Sequence, residues 1–449
     1  MADAEFSPPL TSREQMIEVM ANGAKPRSEW RVGTEHEKHV YRKNPLRTVP
    51  YEGDDGIRAL LAGIKDRTGW NYFYDRDNPI GLRNLTPVGG ISLEPGGQFE
   101  LSGAPHASIH DAAKELDDHL ADCHAIGGPL NIHFLGLGVT PLWAVNDLKR
   151  MPKSRYGIMT PYMDKVGTLG TSMMYRSATI QANLDFSDEA DMVKKLRVSL
   201  ALQPVVTALF ANSPFVDGKP SGYLSFRSHI WLNTDAARTG MLPFAFDKDF
   251  GFDRYAEYAL DVPMYFVIRN KQYIDVAGES FRAFMRGELP QLPGEKPTIK
   301  DWENHLSTLF PEVRLKNYLE MRGADMGDRN HILALPALWA GLLYDEDALN
   351  QSWDRLKSWT VADMQALREA VPKTALNTPA RGCLVSDLAR EIVDLGRAGL
   401  KRRGLGEEAY LSPLEETLML GKTPAERWLD KYHGKWGGDL TRIFDEAEI

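Results

Sequence analysis

Four short stretches set carboxylates, with amide or basic companions, at alternate positions. They are Glu35 and Glu37 in Gly33-Thr34-Glu35-His36-Glu37, Glu94 followed by Gln98 and Glu100 in Ser92-Leu93-Glu94-Pro95-Gly96-Gly97-Gln98-Phe99-Glu100, Gln181 and Asn183 in Thr179-Ile180-Gln181-Ala182-Asn183, and Glu320 and Arg322 in Tyr318-Leu319-Glu320-Met321-Arg322. Successive side chains of a β-strand point to opposite faces, so a spacing of two puts each pair on one face. A sheet face crowded with acids repels itself unless a cation sits there. Hard divalent cations such as Mg²⁺ choose oxygen ligands and bridge protein carboxylates to phosphates. The spacing therefore predicts a metal–nucleotide site built on a sheet.

The elements that position these residues are mixed helix and strand. Ser12-Arg13-Glu14-Gln15 fits a capping box, Met16, Ile17 and Met20 supply an apolar stripe, and Gly23 is a stop signal. Residues 30–41 read as an extended segment, and Pro95-Gly96-Gly97 as a hairpin connection between two strands. Residues 108–125 and 187–212 carry helical periodicity, and the last hundred residues are mostly helical. The Pro/Gly cluster at 289–294 is the strongest linker signal, but motif segments flank it, so it reads as a loop within one domain. The expectation is one catalytic domain over 1–449, with an acid-strand core at 28–325 and a mostly helical portion at 326–449.

Composition narrows the partners. Lys plus Arg is 53 against 62 Asp plus Glu, a net charge of −9, so the chain lacks the basic footprint of a nucleic-acid or anionic-membrane binder. Met1-Ala2-Asp3-Ala4-Glu5 lacks the charged and apolar regions of a signal peptide. The longest apolar run, 332–344, is broken by Pro336 and is too short to span a bilayer. Cys123 and Cys383 are the whole cysteine complement, which rules out a disulfide framework; a cytoplasmic, monomeric protein is expected.

Familiar nucleotide and nucleophile motifs are missing. There is no P-loop, Gly136-Leu137-Gly138 lacks the third glycine of a dinucleotide fingerprint, and no Gly-x-Ser-x-Gly elbow occurs. A nucleotide must then be held through metal ions and arginines. His36 and His39 resemble a zinc spacing, but on a strand they face opposite ways. His110, His119, Cys123 and His124 fit solvated or half-buried positions on one helix better than a metal site.

Longer strings carry a resemblance. Gly33-Thr34-Glu35-His36-Glu37-Lys38, the segment from Ile91 through Gly103, Met151-Pro152-Lys153-Ser154-Arg155-Tyr156, Thr179 through Phe186, Phe226-Arg227-Ser228-His229-Ile230-Trp231, Phe310-Pro311-Glu312-Val313-Arg314 and Leu319 through Asp325 resemble glutamate–cysteine ligases of the plant and proteobacterial type. The acid-strand pattern is more distantly similar to glutamine synthetase. The resemblance implies an α+β fold in which a curved, largely antiparallel sheet forms a funnel with helices outside. It also implies ATP-dependent ligation of the γ-carboxylate of glutamate to the amine of cysteine, with Mg²⁺ and through a γ-glutamyl phosphate, the first step of glutathione synthesis.

Residue by residue, it implies metal ligation by Glu35, Glu37, Glu94, Glu100, Gln181 and Glu320. Arg322 would be the catalytic cation facing the phosphoryl group. Arg155 and Arg227 would bind substrate carboxylates, Thr179 would contact glutamate, and Trp231 and Tyr265 would line the cysteine pocket. Arginine suits such work because its planar fork makes paired bonds to a carboxylate. Plant relatives have cysteine pairs that tune activity by oxidation; the segment 274–293 has no cysteine here, so that switch is expected to be absent. Three other readings stay open at this point: a related ligase using a different amine, a metal-dependent hydrolase, and a binding-only relative.

Overall fold

The computed structural model describes residues 7–86 and 88–449; Met1 to Glu5, read above for a signal peptide, lie outside them. Ten strands form the principal sheet: β1 (Val32–Arg42), β2 (Arg47–Thr48), β3 (Asn71–Asp75), β4 (Asn78–Leu85), β5 (Val88–Leu93), β6 (Phe99–Ser102), β7 (His133–Leu135), β8 (Thr179–Leu184), β9 (Val313–Leu315) and β10 (Leu319–Asp325). Their order is β9-β10-β8-β1-β6-β5-β4-β3, with β2 and β7 paired to the far end of the long strand β1. Every pairing in this sheet is antiparallel. The expected α+β architecture is present, and all four acid-bearing stretches lie on or beside neighbouring strands.

Period-two patterning sorts the two faces. On β8, Ile180, Ala182 and Leu184 are fully buried in the main apolar core, so the intervening Thr179, Gln181 and Asn183 belong to the opposite face. The core side is covered by α3 (Ile109–Gly127), α6 (Glu189–Leu209) and α8 (Arg329–Leu343). The apolar run at 332–344 is this last helix together with its cap: it is buried, and among the described residues no helix is long and apolar enough to cross a membrane. The helices at 346–356, 361–374 and 385–403 contribute to the same core.

Local signals act as the sequence indicates. Ser12 and Gln15 close a reciprocal capping box on α1 (Arg13–Ala21), which ends with Asn22 as its cap and Gly23 directly after it. Ser108 caps α3, and Asp188 caps α6 by accepting from the Asp191 N–H at 2.9 Å. The β5–β6 connection is the 94–98 turn, where Gly97 takes φ +88°, and a Cβ on Gly96 would lie 2.2 Å from the Tyr175 carbonyl oxygen. The Pro/Gly cluster at 289–294 is a loop with Leu289 and Leu292 buried. Cys123 and Cys383 are free thiols. His119 and Cys123 are fully enclosed rather than half-solvated, and they sit beneath β1 beside His36 and the buried Lys38, whose Nζ lies 2.9 Å from His36 Nδ1.

Candidate active site

Register builds the acidic face. Glu37 lies directly opposite Glu100, Glu35 opposite Gln181 and Ser102, Asn183 opposite Gly33 and Glu320, and Glu100 opposite Ser92. Alternate residues on five adjacent strands thus meet in two dimensions, where sequence spacing shows only one.

Two cavities open on this face. The inner one, about 290 Å³, is lined by Glu35, Glu37, Glu94, Gln98, Glu100, Thr179 and Gln181, by Arg155, Arg227, Arg314 and Arg322, and by an apolar wall that includes Met159, Met173, Met174, Trp231, Phe266 and Phe310. The outer one, about 670 Å³, is lined by Lys25, Arg31, Phe73, Arg83, Asn183 and Tyr318 and by the β4–β5 hairpin with its exposed Leu85 and Val88. Glu35 borders both.

Each acid lining the inner cavity is held by neutral or distant partners. Gln181 Nε2 donates to Glu35 Oε2 at 3.2 Å and Asn183 Nδ2 to Glu35 Oε1 at 2.8 Å. Glu37 accepts from the Thr179 backbone N–H at 3.0 Å, and Glu100 from Ser92 Oγ at 2.9 Å. Glu94 lies 3.8 Å from both Lys153 Nζ and Arg155 Nη2. Burial, with Glu100 and Glu94 facing it, pushes the Glu37 carboxyl well above its ordinary range, against the pull of Arg227 and Arg322. Burial and the charges of Glu94 and Glu35 push Glu100 up to about 8. Burial and Arg155 bring Lys153 down to about 8. Among the described residues no three His, Cys, Asp or Glu side chains converge as a ready-made metal centre. The donors at Glu37 and Glu100 are oxygens alone, short of cationic partners, which suits a hard cation that takes its remaining ligands from a substrate.

The basic residues are set by the fold. Arg155 begins α4 (Arg155–Val166) and Arg227 lies in the first turn of α7 (Phe226–Leu232). That turn is pinned by Asp325 at the end of β10, which accepts from Ser225 Oγ at 2.8 Å and Ser213 Oγ at 2.6 Å. Irregular pairing between Met321 and Ala324 accompanies the bond from Arg227 Nη2 to the Arg322 carbonyl at 2.9 Å. A Cβ at Gly323, inside that irregularity, would strike the Gln203 side chain at 2.3 Å. Arg155 Nε, Arg227 Nε and Trp231 Nε1 are buried without a hydrogen-bond partner.

Three expected site residues are placed differently from their expectation. Glu320 is fully buried and does not line the inner cavity. Its oxygens face Arg314 at 2.7 and 2.9 Å, Arg322 at 2.7 Å and Lys316 at 3.2 Å, so in this arrangement it anchors a basic cluster. Burial works to raise its carboxyl, yet these three cations hold it well below the usual carboxylate range. Tyr265 lies outside the inner cavity: its ring is 3.8 Å from the Arg238 guanidinium and its hydroxyl meets Met163 Sδ at 3.2 Å, because Arg238 is itself buried and needs a π-face there. Thr179 borders the cavity, but its hydroxyl is spent on the Ala324 carbonyl at 2.7 Å.

Sequence reasoning passed over Arg314, Lys153 and Ser92. All three occur in strings noted above, but it is the fold that brings them to the site: Arg314 lies opposite Glu320 across the β9–β10 hairpin, Ser92 opposite Glu100 across β5–β6, and the loop residue Lys153 reaches to 3.4 Å from Ser92 Oγ.

The model of glutamate–cysteine ligase family 2 matches residues 31–446. Glutamate–cysteine ligase B, chloroplastic, of Oryza sativa subsp. japonica is 52% identical over 442 residues, covering 98% of this chain and 88% of the rice protein. The chloroplastic glutamate–cysteine ligase of Arabidopsis thaliana is 52% identical over 438 residues, covering 98% and 83%. Among solved structures, a glutamate–cysteine ligase of Francisella tularensis in complex with AMP superposes with TM-score 0.56 at 15% identity, over 93% of this chain and 87% of that one. A bifunctional glutathione synthetase of Pasteurella multocida gives 0.51 at 12% identity, over 97% and 53%. These two likenesses are of fold alone. The plant relatives overturn the cytoplasmic expectation: proteins sharing half of these residues are chloroplastic, so a low cysteine count and the lack of a membrane-length apolar run do not fix the compartment.

Proposed function

This chain belongs to glutamate–cysteine ligase family 2, and on that premise we propose that it joins the γ-carboxylate of glutamate to the amine of cysteine at the expense of ATP. The observation that carries the reading is the meeting, in one cavity of small-molecule size, of repelling carboxylates with buried arginine and indole N–H groups that have no protein partner. Buried donors without partners cost about 1–3 kcal/mol each, a penalty that a bound anion removes.

In the proposed reaction a γ-carboxylate oxygen attacks the terminal phosphorus of ATP, and the bond to ADP breaks. The cysteine nitrogen then attacks the acyl phosphate carbon, phosphate leaves, and the amine gives up a proton. Arg155, Arg227 and the Trp231 N–H would hold the carboxylates of the amino acids. Arg322, fixed by Glu320 at 2.7 Å, would face the charge spread over the transferring phosphoryl oxygens. The outer cavity would take the nucleotide, its base against the apolar tip of the β4–β5 hairpin. Mg²⁺, held by Glu37 and Glu100 with Glu94 and Glu35 beside them, would neutralise carboxylates and phosphates as they approach. The protein's own share is position and the exclusion of water. The reading takes a monomer as the working unit, with 28–325 as its catalytic core and 326–449 completing it.

The test is ADP release by purified protein with Mg²⁺, ATP and glutamate, comparing cysteine, 2-aminobutyrate, other amino acids and no amine. Release that needs glutamate and is strongest with cysteine, with γ-glutamylcysteine detected by mass spectrometry, supports the proposal. Release driven best by another amine moves the substrate, and no turnover from folded, metal-loaded protein removes the ligase reading.

A further inference from the structure

We propose that Asn183 is a positioning residue that aims Glu35 at the divide between the two cavities; the inference rests on the ligase reading. Glu35 is shared by both linings, so its orientation governs what can bridge a ligand in one cavity to a ligand in the other. Its two oxygens are held by two amides and no cation: Asn183 Nδ2 at 2.8 Å on one, Gln181 Nε2 at 3.2 Å on the other. An arginine or lysine in either place would orient the carboxylate equally well but would neutralise it. Amide donors fix the geometry and leave the full negative charge, with spare lone pairs, for a cation arriving with substrate.

The surroundings of Asn183 preserve this arrangement. Gln181 is itself clamped, its Oε1 accepting from Arg322 Nη1, which leaves its amide N–H pointing at Glu35. Asn183 stands opposite Gly33 in the β1–β8 register, and a Cβ on Gly33 would press on the Asn183 Cβ at 3.2 Å and its Nδ2 at 3.4 Å. Glycine at 33 gives the amide room to reach Glu35. The other end of the side chain, Oδ1, is buried without a partner, so the carboxylate is what fixes this amide.

The test is a double-mutant cycle read by equilibrium binding of Mn²⁺, an oxygen-ligated probe with an EPR signal, in the presence of the non-hydrolysable analogue AMPPNP. Asn183→Ala is expected to weaken Mn²⁺ binding about 10-fold. In a Glu35→Gln background the same change is expected to add less than 2-fold, because its effect runs through Glu35. Gly33→Ala, whose added methyl would press on the Asn183 side chain, is expected to weaken Mn²⁺ binding in the same direction. Affinity unchanged in Asn183→Ala, or losses that simply multiply in the double variant, overturns the proposal. Should Asn183→Ala not fold, Asn183→Ser runs the same cycle with the same criteria. Wild-type protein that binds no Mn²⁺ with AMPPNP overturns the ligase reading and this inference with it, a failure visible before any variant is made.

Discussion

Glu320→Gln isolates the electrostatics of the sheet edge. The wild-type carboxylate lies within 3.2 Å of three cationic side chains, with Glu320 and Arg314 fully enclosed, Arg322 nearly so and Lys316 a quarter exposed. At an effective dielectric of about 20, two unit charges about 4 Å apart attract by about 4 kcal/mol, and the surviving cations repel one another by roughly half that at twice the distance. Relaxation, water entry and the exposure of Lys316 absorb much of this, so the working expectation is the loss typical of a buried ion pair deprived of one partner, about 3–5 kcal/mol. The glutamine matches the glutamate in shape, so packing contributes little to the change. The assay is urea unfolding of chelator-treated wild type and variant at neutral pH, followed by far-UV circular dichroism and by tryptophan fluorescence. Where the two probes coincide, the midpoint should fall with no change in slope. Added sulfate should raise the midpoint of the variant more than that of the wild type, since in the variant the anion replaces part of the missing charge in addition to its general stabilising effect. A midpoint within error of wild type would refute the anchoring role and return Glu320 to the cavity as a free oxygen donor.

Other perturbations follow from the same geometry. Glu100→Ala is expected to reduce ADP release at least 100-fold while far-UV circular dichroism is retained; normal turnover in a folded variant would remove Glu100 from the site. Without ligands that variant should be no less stable than wild type at pH 8, because burial and the charges of Glu94 and Glu35 already push the native carboxyl up to about 8. Tyr265→Phe is expected to change the KM for cysteine by less than 2-fold, since the hydroxyl meets Met163 Sδ rather than the cavity; a large, cysteine-selective rise would restore it to the amine pocket. His305 is held down to about 4 by burial and Arg238, against its bond to the Ala259 carbonyl. The unfolded chain takes up this proton below about 6.5 and the folded one does not, so stability present above pH 6.5 is lost as pH falls to 4, by up to about 1.4 kcal/mol per pH unit. His305→Gln keeps a donor for Ala259 without titrating; unfolding curves from pH 7 to 4 should show a shallower acid slope, and equal slopes would refute the assignment.

The sheet was legible in the sequence because its information is local. Alternation in β1, β8 and β10 separates Glu35 and Glu37 from His36 and Lys38, and Gln181 and Asn183 from Ala182, using residues no more than two apart. The Pro95-Gly96-Gly97 turn and the Ser12 cap are local in the same sense. What spacing within one strand does not carry is the registry between one strand and the next. Glu37 opposite Glu100, and Arg314 opposite Glu320, are consequences of pairing. The roles of Ser92, Arg314 and Asn183 all rest on such pairs.

That division also separates positions from charge states. Family strings locate an acid or an arginine, but whether it is spent or available depends on what the completed fold sets against it. Glu320 and Glu100 both lie on acid strands of this sheet, yet three cations hold one far below its ordinary range while burial and neighbouring acids lift the other to about 8. The same contrast divides the arginines: Arg314 bonds Glu320 and the Ser307 and Leu309 carbonyls and has its Nε 2.7 Å from Glu320 Oε2, whereas the buried Nε–H groups of Arg155 and Arg227 have neither a hydrogen bond nor an ion pair. One cavity thus brings together acids short of cations and donors short of anions. A ligand set carrying both charges, an anionic substrate accompanied by a divalent cation, relieves both deficits at once, whereas a neutral ligand can offer the donors an acceptor but leaves the acids without a counter-charge.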